Sequence, residues 1–189
     1  MDFVIVLGLF AGVPLLILVW AILTYNGLVR LRQHCRDSWA GIDTELQRRY
    51  DLIPNLVETV KGYAAHEKEL FRSVTEARSK AVASTGSPGV QAGDENLLVD
   101  ALRRLLVIVE NYPDLQASGH FLELQRELAN TEDRIQAARR FYNGNVRDIN
   151  TRIEVFPSNV IAGMFRFEEQ EFFEVAEVGV RATPQASFD

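Results

Sequence analysis

The residues of strongest chemical character in this 189-residue chain are three arginine doublets, a lone cysteine and one His-Glu pair. Arg48-Arg49, Arg103-Arg104 and Arg139-Arg140 each precede an apolar or aromatic residue. A guanidinium is a planar fork that binds a carboxylate through paired hydrogen bonds, so such residues suit bridging between helices. Asp43, Asp51, Glu58, Glu127, Glu132 and Asp148 offer carboxylates for that role; an anion or lipid-headgroup site is the competing use. Cys35 reads as a buried small hydrophobe, although its place just beyond a long apolar run also suits palmitoylation. One thiol excludes an intramolecular disulfide framework and any CxxC site. His66-Glu67-Lys68-Glu69-Leu70 begins like a zinc-protease helix but lacks the second histidine of HExxH, which makes the pair solvated surface. Neither His66 nor His120 has a glutamate three residues before it, so the Glu-x-x-His motif of di-iron bundles is missing too. No nucleophile elbow, phosphate loop or dinucleotide fingerprint occurs. The expectation is a protein that is not an enzyme, with no catalytic residues, no metal site and no cofactor.

The elements that position these residues begin with a membrane segment. Phe3–Leu23 is uncharged over 21 residues, and at about 1.5 Å per residue it matches a hydrocarbon core of about 30 Å. Pro14 is tolerable in lipid, and Trp20 and Tyr25 lie where amphipathic aromatics favour the interface. A cleaved signal peptide would want a basic start and a small-residue cleavage site; the chain starts Met1-Asp2, so a retained anchor is expected. Arg30, Arg32 and Arg36 follow the span and no basic residue precedes it. The positive-inside bias then puts the N-terminus outside and residues 30–189 in the cytoplasm. The whole 189-residue chain carries 20 basic and 26 acidic groups, and this acidity argues against nucleic acid as a partner.

The body reads as all-α. Leu28, Leu31, Cys35, Trp39, Ile42, Leu46 and Ile53 form one helical stripe continuing from the span. Pro54 marks a break or kink, with Asp51 able to cap a new helix that runs to about Ser84. Thr85–Gly93 reads as a loop, and a third helix covers about Asp94–Asn111. In the fourth, Phe121, Leu128, Ile135, Tyr142, Ile149 and Phe156 recur every seven residues, which predicts a seam in a coiled-coil-like antiparallel bundle closed by Pro157. Glu132 lies off that seam and should tolerate alanine far better than Ile135. The expected organisation is an anchor and exit over 1–29, a cytoplasmic helical bundle over 30–166, and a Phe/Glu-rich tail over 167–189. That tail either covers one end of the bundle or stays loosely ordered.

The third helix carries more apolar surface than a bundle stripe requires. From Leu97 to Val109 only Asp100, Arg103 and Arg104 are polar, and they share one face. The segment is either the central helix of the bundle or a contact surface for a second subunit or a membrane. Leu97, Leu98, Leu102, Leu106 and Val109 are the candidate contact of a homo-oligomer, for which cyclic symmetry is the common closed solution.

Several stretches together resemble the LemA family: Tyr25–Val29 with Leu31-Arg32, Arg48–Gly62 followed by Tyr63-Ala64 and His66-Glu67, and Asn111–Leu115. Leu124-Gln125, Glu127-Leu128, Thr131-Glu132, Ala138–Asn143 and Phe156-Pro157-Ser158-Asn159 extend the match. The resemblance implies a bacterial inner-membrane protein with one N-terminal anchor and a cytoplasmic helical bundle, and no catalytic residues to carry over. Some relatives are associated with building magnetosome membranes, and family genes often neighbour membrane-protease genes. The expected function is therefore a self-associating scaffold on the lipid bilayer that organises or shapes the membrane. The alternative is an adaptor that binds a membrane-protein partner such as a protease.

Overall fold

The computed structural model describes the backbone of residues 2–179 and the side chains of residues 12–179. Among these, every regular element is helical: α1 (Asp2–Lys61), α2 (Lys68–Ala83), α3 (Pro88–Val109), α4 (Pro113–Gln116), α5 (Gly119–Glu154) and α6 (Ser158–Met164). Beyond α6, residues 167–179 run on without regular structure. Side chains 3–11 of the apolar run and residues 180–189 of the expected tail lie outside the described residues.

Pro54 does not break the first helix, contrary to the sequence expectation; α1 continues to Lys61. Proline withholds the N–H that would bond the carbonyl four residues back, that of Tyr50. Arg78 supplies the missing donor, its Nε giving a 2.7 Å hydrogen bond to the Tyr50 carbonyl. The break falls instead after Lys61, where Tyr63 and Ala64 both donate to the Val60 carbonyl before α2 begins. The expected loop at 85–93 is shorter than its composition suggests. Pro88, with φ fixed near the helical value and no N–H to satisfy, starts α3.

The chain divides into two compact units. One comprises Met1–Ser38 and Asn143–Gln170. Its core gathers Leu28, Ile161, Ala162 and Phe167, with Ala21, Tyr25, Val29 and Ile153 packed around it. Tyr25 meets the rings of Phe165 and Phe167 at 4.7 and 5.8 Å, and the Arg32 guanidinium lies over Phe167 at 5.0 Å. Ser158 holds the end of α5 by donating to the Arg152 and Val155 carbonyls. Arg166, at φ 54, closes α6 in the left-handed region. There its own N–H reaches Gly163 O and that of Phe167 reaches Ala162 O, the paired bonds of a Schellman cap. Asn150 clamps the Gln170 backbone from both sides, donating to its carbonyl and accepting from its N–H.

The other unit comprises Trp39–Tyr142 and Glu171–Asp189. The expected seam of α5 is largely present: Phe121, Leu128, Ile135 and Tyr142 are buried here, as is Ile149 in the first unit. Phe156 leaves it, 77% exposed, because α5 ends at Glu154. The extended segment 171–179 lies against α3 and α5 with Phe173, Val175 and Val178 buried. Phe173 stands edge-on to Trp39 at 5.2 Å and 89°.

Candidate functional site

The polar centre of the second unit is Arg49, whose side chain is fully buried. The seven- and three-residue spacings that turn Ile42, Leu46 and Ile53 inward place Arg49 on the same face of α1. Its Nη2 donates to Glu95 of α3, and its Nη1 donates to Glu132 Oε2 of α5 at 3.0 Å. The Tyr50 hydroxyl donates to the other oxygen of Glu95, and Gln136 donates to Glu132 Oε1 at 3.3 Å. Burial first, then the charge of Glu95, pushes the Tyr50 phenol far above its ordinary pKa, so it stays a donor. One guanidinium between two carboxylates therefore ties three helices together. Both carboxylates are engaged by the same guanidinium, an arrangement that ties the register of the three helices. A cavity of about 380 Å³ reaches Glu132 and Gln136 from outside and is lined also by Asp133, Arg140 and Glu177.

The three arginine doublets resolve into different uses. Among the carboxylates expected from sequence, Glu132 is a partner of Arg49; the other partner, Glu95, was not among them. Glu132 is also buried and ion-paired, which counts against the expectation that it tolerates alanine far better than Ile135. Arg48 pairs with Glu45 one turn away on the surface. Arg103 and Arg139 bind backbone rather than carboxylates across helices, donating to the carbonyls of Glu177 and Val175.

Asn96 and Tyr142 complete this hold on the extended segment. Asn96 donates to Glu174 O and accepts from Ala176 N–H, while the Tyr142 hydroxyl donates to Glu171 O at 2.9 Å. The Glu171 carboxylate in turn caps α3, accepting from Ser87 Oγ and from Gly89 N–H. Those two donors hold its pKa below the ordinary glutamate value. A Cβ at Gly89 would come within 2.7 Å of the carboxylate oxygen, so a larger residue there would displace the end of the Glu171 side chain. An asparagine inside a helix, a weak helix former, was the available sequence signal for these clamps.

Of the candidate contact residues, Leu98, Leu102 and Val109 are buried within the unit and cannot face a second subunit. Leu106 is half-buried, and Leu97 is exposed together with Val107. The physical reason is that α3 is enclosed by α1 through Glu95, by α2, and by the extended segment. At 100° per residue, Leu97 and Val107 share the outer face with Asp100 and Arg104. Beside them lies a cleft of about 450 Å³ lined by Glu67, Glu69, Leu70, Ser73, Arg104, Val107 and Ile108. His66 and Glu67 sit in the turn before α2, and among the described residues no three metal-binding side chains converge. Cys35 is buried and its thiol pKa is raised, by burial first and then by the charge of Asp148.

Comparison with known proteins gives the lineage. The LemA family model matches residues 38–188. Magnetosome protein MamQ 2 of Paramagnetospirillum magneticum and Magnetosome protein MamQ of Magnetospirillum gryphiswaldense are each 27% identical over 183 residues, covering 84% of this chain and 67% of theirs. Protein LemA of Metamycoplasma hominis is 26% identical over 154 residues, covering 81% of this chain and 70% of its own length.

Proposed function

The chain belongs to the LemA family, and from that membership we propose that it is a membrane-anchored, self-associating scaffold without catalytic activity. In this reading α1 crosses the bacterial inner membrane once, N-terminus outside, and residues 30–189 form an antiparallel helical bundle in the cytoplasm. The observation that carries it is the continuity of α1. An apolar segment long enough to cross a bilayer, with Leu15–Trp20, Ile22 and Leu23 exposed, passes without interruption into the helix that bears Arg49. The likeness to magnetosome proteins supports a role in organising membrane. Self-association would use the outer face of α3 around Leu97 and Val107, since Leu98, Leu102 and Val109 are spent on the core.

The test is the size and symmetry of full-length particles in lipid. A cyclic homo-oligomer is expected, and Leu97→Glu with Val107→Glu should shift it to smaller species without loss of helix content. A strictly monomeric wild type at membrane densities would refute self-association. It would promote the adaptor reading, which the cleft between Glu67 and Arg104 favours as a seat for a segment of a membrane enzyme such as a protease.

A further inference from the structure

The first unit carries a group of bare apolar side chains at one place. Val155, Phe156, Val160, Met164 and Phe165 are all exposed, Phe156 to 77% and Met164 to 69%. They belong to the turn after α5 and to α6, a stretch of eleven residues, Val155–Phe165, without a charge and flanked by Glu154 and Arg166. Soluble surfaces seldom keep such a concentration unless something covers it.

Position along α1 identifies the cover. Asn145 of α5 donates to His34 O and Ser38 Oγ. Two turns further along α5, Ile153 packs on the cluster around Leu28. The end of α5 therefore points back toward the apolar run of α1. The α6 residues Ile161 and Ala162 pack in the same cluster as Tyr25 and Ala21, and Ala21 is itself part of Phe3–Leu23. A span of that length uses the whole hydrocarbon thickness of about 30 Å, which leaves Ala21 at its boundary. The bare side chains of the corner are thus held at the level where the helix leaves the bilayer.

We propose that the α5–α6 corner, Val155–Phe165, is an interfacial wedge that inserts Phe156, Val160, Met164 and Phe165 into the headgroup and upper acyl region of the bilayer. The occupant is lipid and not a second protein, because the patch is continuous with the membrane segment through Ala21 and Tyr25. Interfacial elements reach about 5–10 Å below the headgroups, a depth that single Phe and Met side chains on a short helix can explore. Tyr25, packed on Phe165 with centroids 4.7 Å apart, adds the amphipathic aromatic that favours this zone. The wedge holds the first unit against the bilayer surface at a second point besides the span. It rests on the proposed reading of α1 as a membrane anchor.

The experiment uses the full chain carrying Cys35→Ser, reconstituted in vesicles of phosphatidylethanolamine and phosphatidylglycerol. Single cysteines, Leu16→Cys in the span, Phe156→Cys and Met164→Cys in the corner, and Thr85→Cys in the second unit, are labelled with an environment-sensitive fluorophore. Shallow nitroxide-labelled lipid serves as quencher. The inference expects blue-shifted emission and quenching at 156 and 164 as well as at 16, with water-like emission at 85. Quenching at 16 with water-like, unquenched labels at 156 and 164 overturns the wedge and leaves the anchor standing. An unquenched label at 16 overturns the anchor, and the wedge with it.

Discussion

Replacing Arg49 by methionine tests whether the buried cluster is built as described. The substitution preserves much of the apolar stem but removes the guanidinium shared by Glu95 and Glu132, both almost fully buried. Breaking a buried pair by deleting one partner costs about 3–5 kcal/mol, because a charge is left without compensation. Against a native stability of about 5–15 kcal/mol this is a large fraction. At about 2–4 °C per kcal/mol for a chain of this size, the melting midpoint should fall by roughly 6–20 °C. Full-length protein in detergent micelles can be followed by far-ultraviolet circular dichroism. Fluorescence of Trp39, which lies against Tyr142 and Phe173, gives an independent probe of the same unit. The triple variant Arg49→Met, Glu95→Gln, Glu132→Met removes both orphaned charges and leaves an amide oxygen for the Tyr50 hydroxyl. It should recover most of the loss, since apolar replacement of a whole buried ion cluster is commonly neutral or better. An Arg49→Met loss below about 1 kcal/mol, the range of exposed pairs, would refute the reasoning. So would a triple variant less stable than the single one.

Arg78→Met should cost about 1–3 kcal/mol by leaving the Tyr50 carbonyl without its donor, and much less in a Pro54→Ala background, where the helix supplies its own N–H; additive effects in denaturant titrations would contradict this pairing. The lowered pKa of Glu171 means that its contribution to stability is fully present above the ordinary glutamate pKa and is lost as pH falls through the lowered folded value. The stability gap between wild type and Glu171→Gln should therefore be widest near neutrality and close on acidification; a gap that widens in acid would reverse the sign. For topology, Thr85→Cys in a Cys35→Ser chain should resist an impermeant thiol reagent in intact spheroplasts and react after lysis, and labelling before lysis would place the second unit outside.

The parts of the fold that rest on local periodicity were legible in the sequence, and those that rest on distant partners were not. The seven-residue repeat through Phe121 and Ile135 located the buried face of α5 because an inward stripe has to recur with the helix. It ran one step too far at Phe156, since a repeat carries no mark of the last residue that still has a neighbour. A break or kink at Pro54 is what the sequence predicts because proline's effect on the backbone is local, whereas the remedy comes from Arg78 on the next helix. Glu95 escaped notice for the related reason that a carboxylate on α3 looks like any surface acid until Arg49 and Tyr50 are brought to it. In α3 the polar minority Asp100, Arg103 and Arg104 did mark the outer face. Composition alone leaves two roles open for the opposite side, and Leu98, Leu102 and Val109 take the buried one.

What covers part of that helix is a segment with no secondary structure of its own, and its order has a specific cause. An extended chain that joins no sheet exposes a row of N–H and C=O groups, and burying it requires each to find a partner. Here helix side chains provide them: Asn96 on both sides of the backbone at Glu174 and Ala176, Arg139 at Val175, Arg103 at Glu177, Tyr142 at Glu171. Asparagine is a poor choice for a helix interior on propensity alone. Its amide, however, carries a donor and an acceptor side by side, which is the pattern that one residue of a neighbouring strand would present. The helices thus accept a small local cost at Asn96 and Asn150 and act as the missing strand. That is why residues rich in Phe and Glu, with no periodicity to announce a role, pack Phe173, Val175 and Val178 into the core.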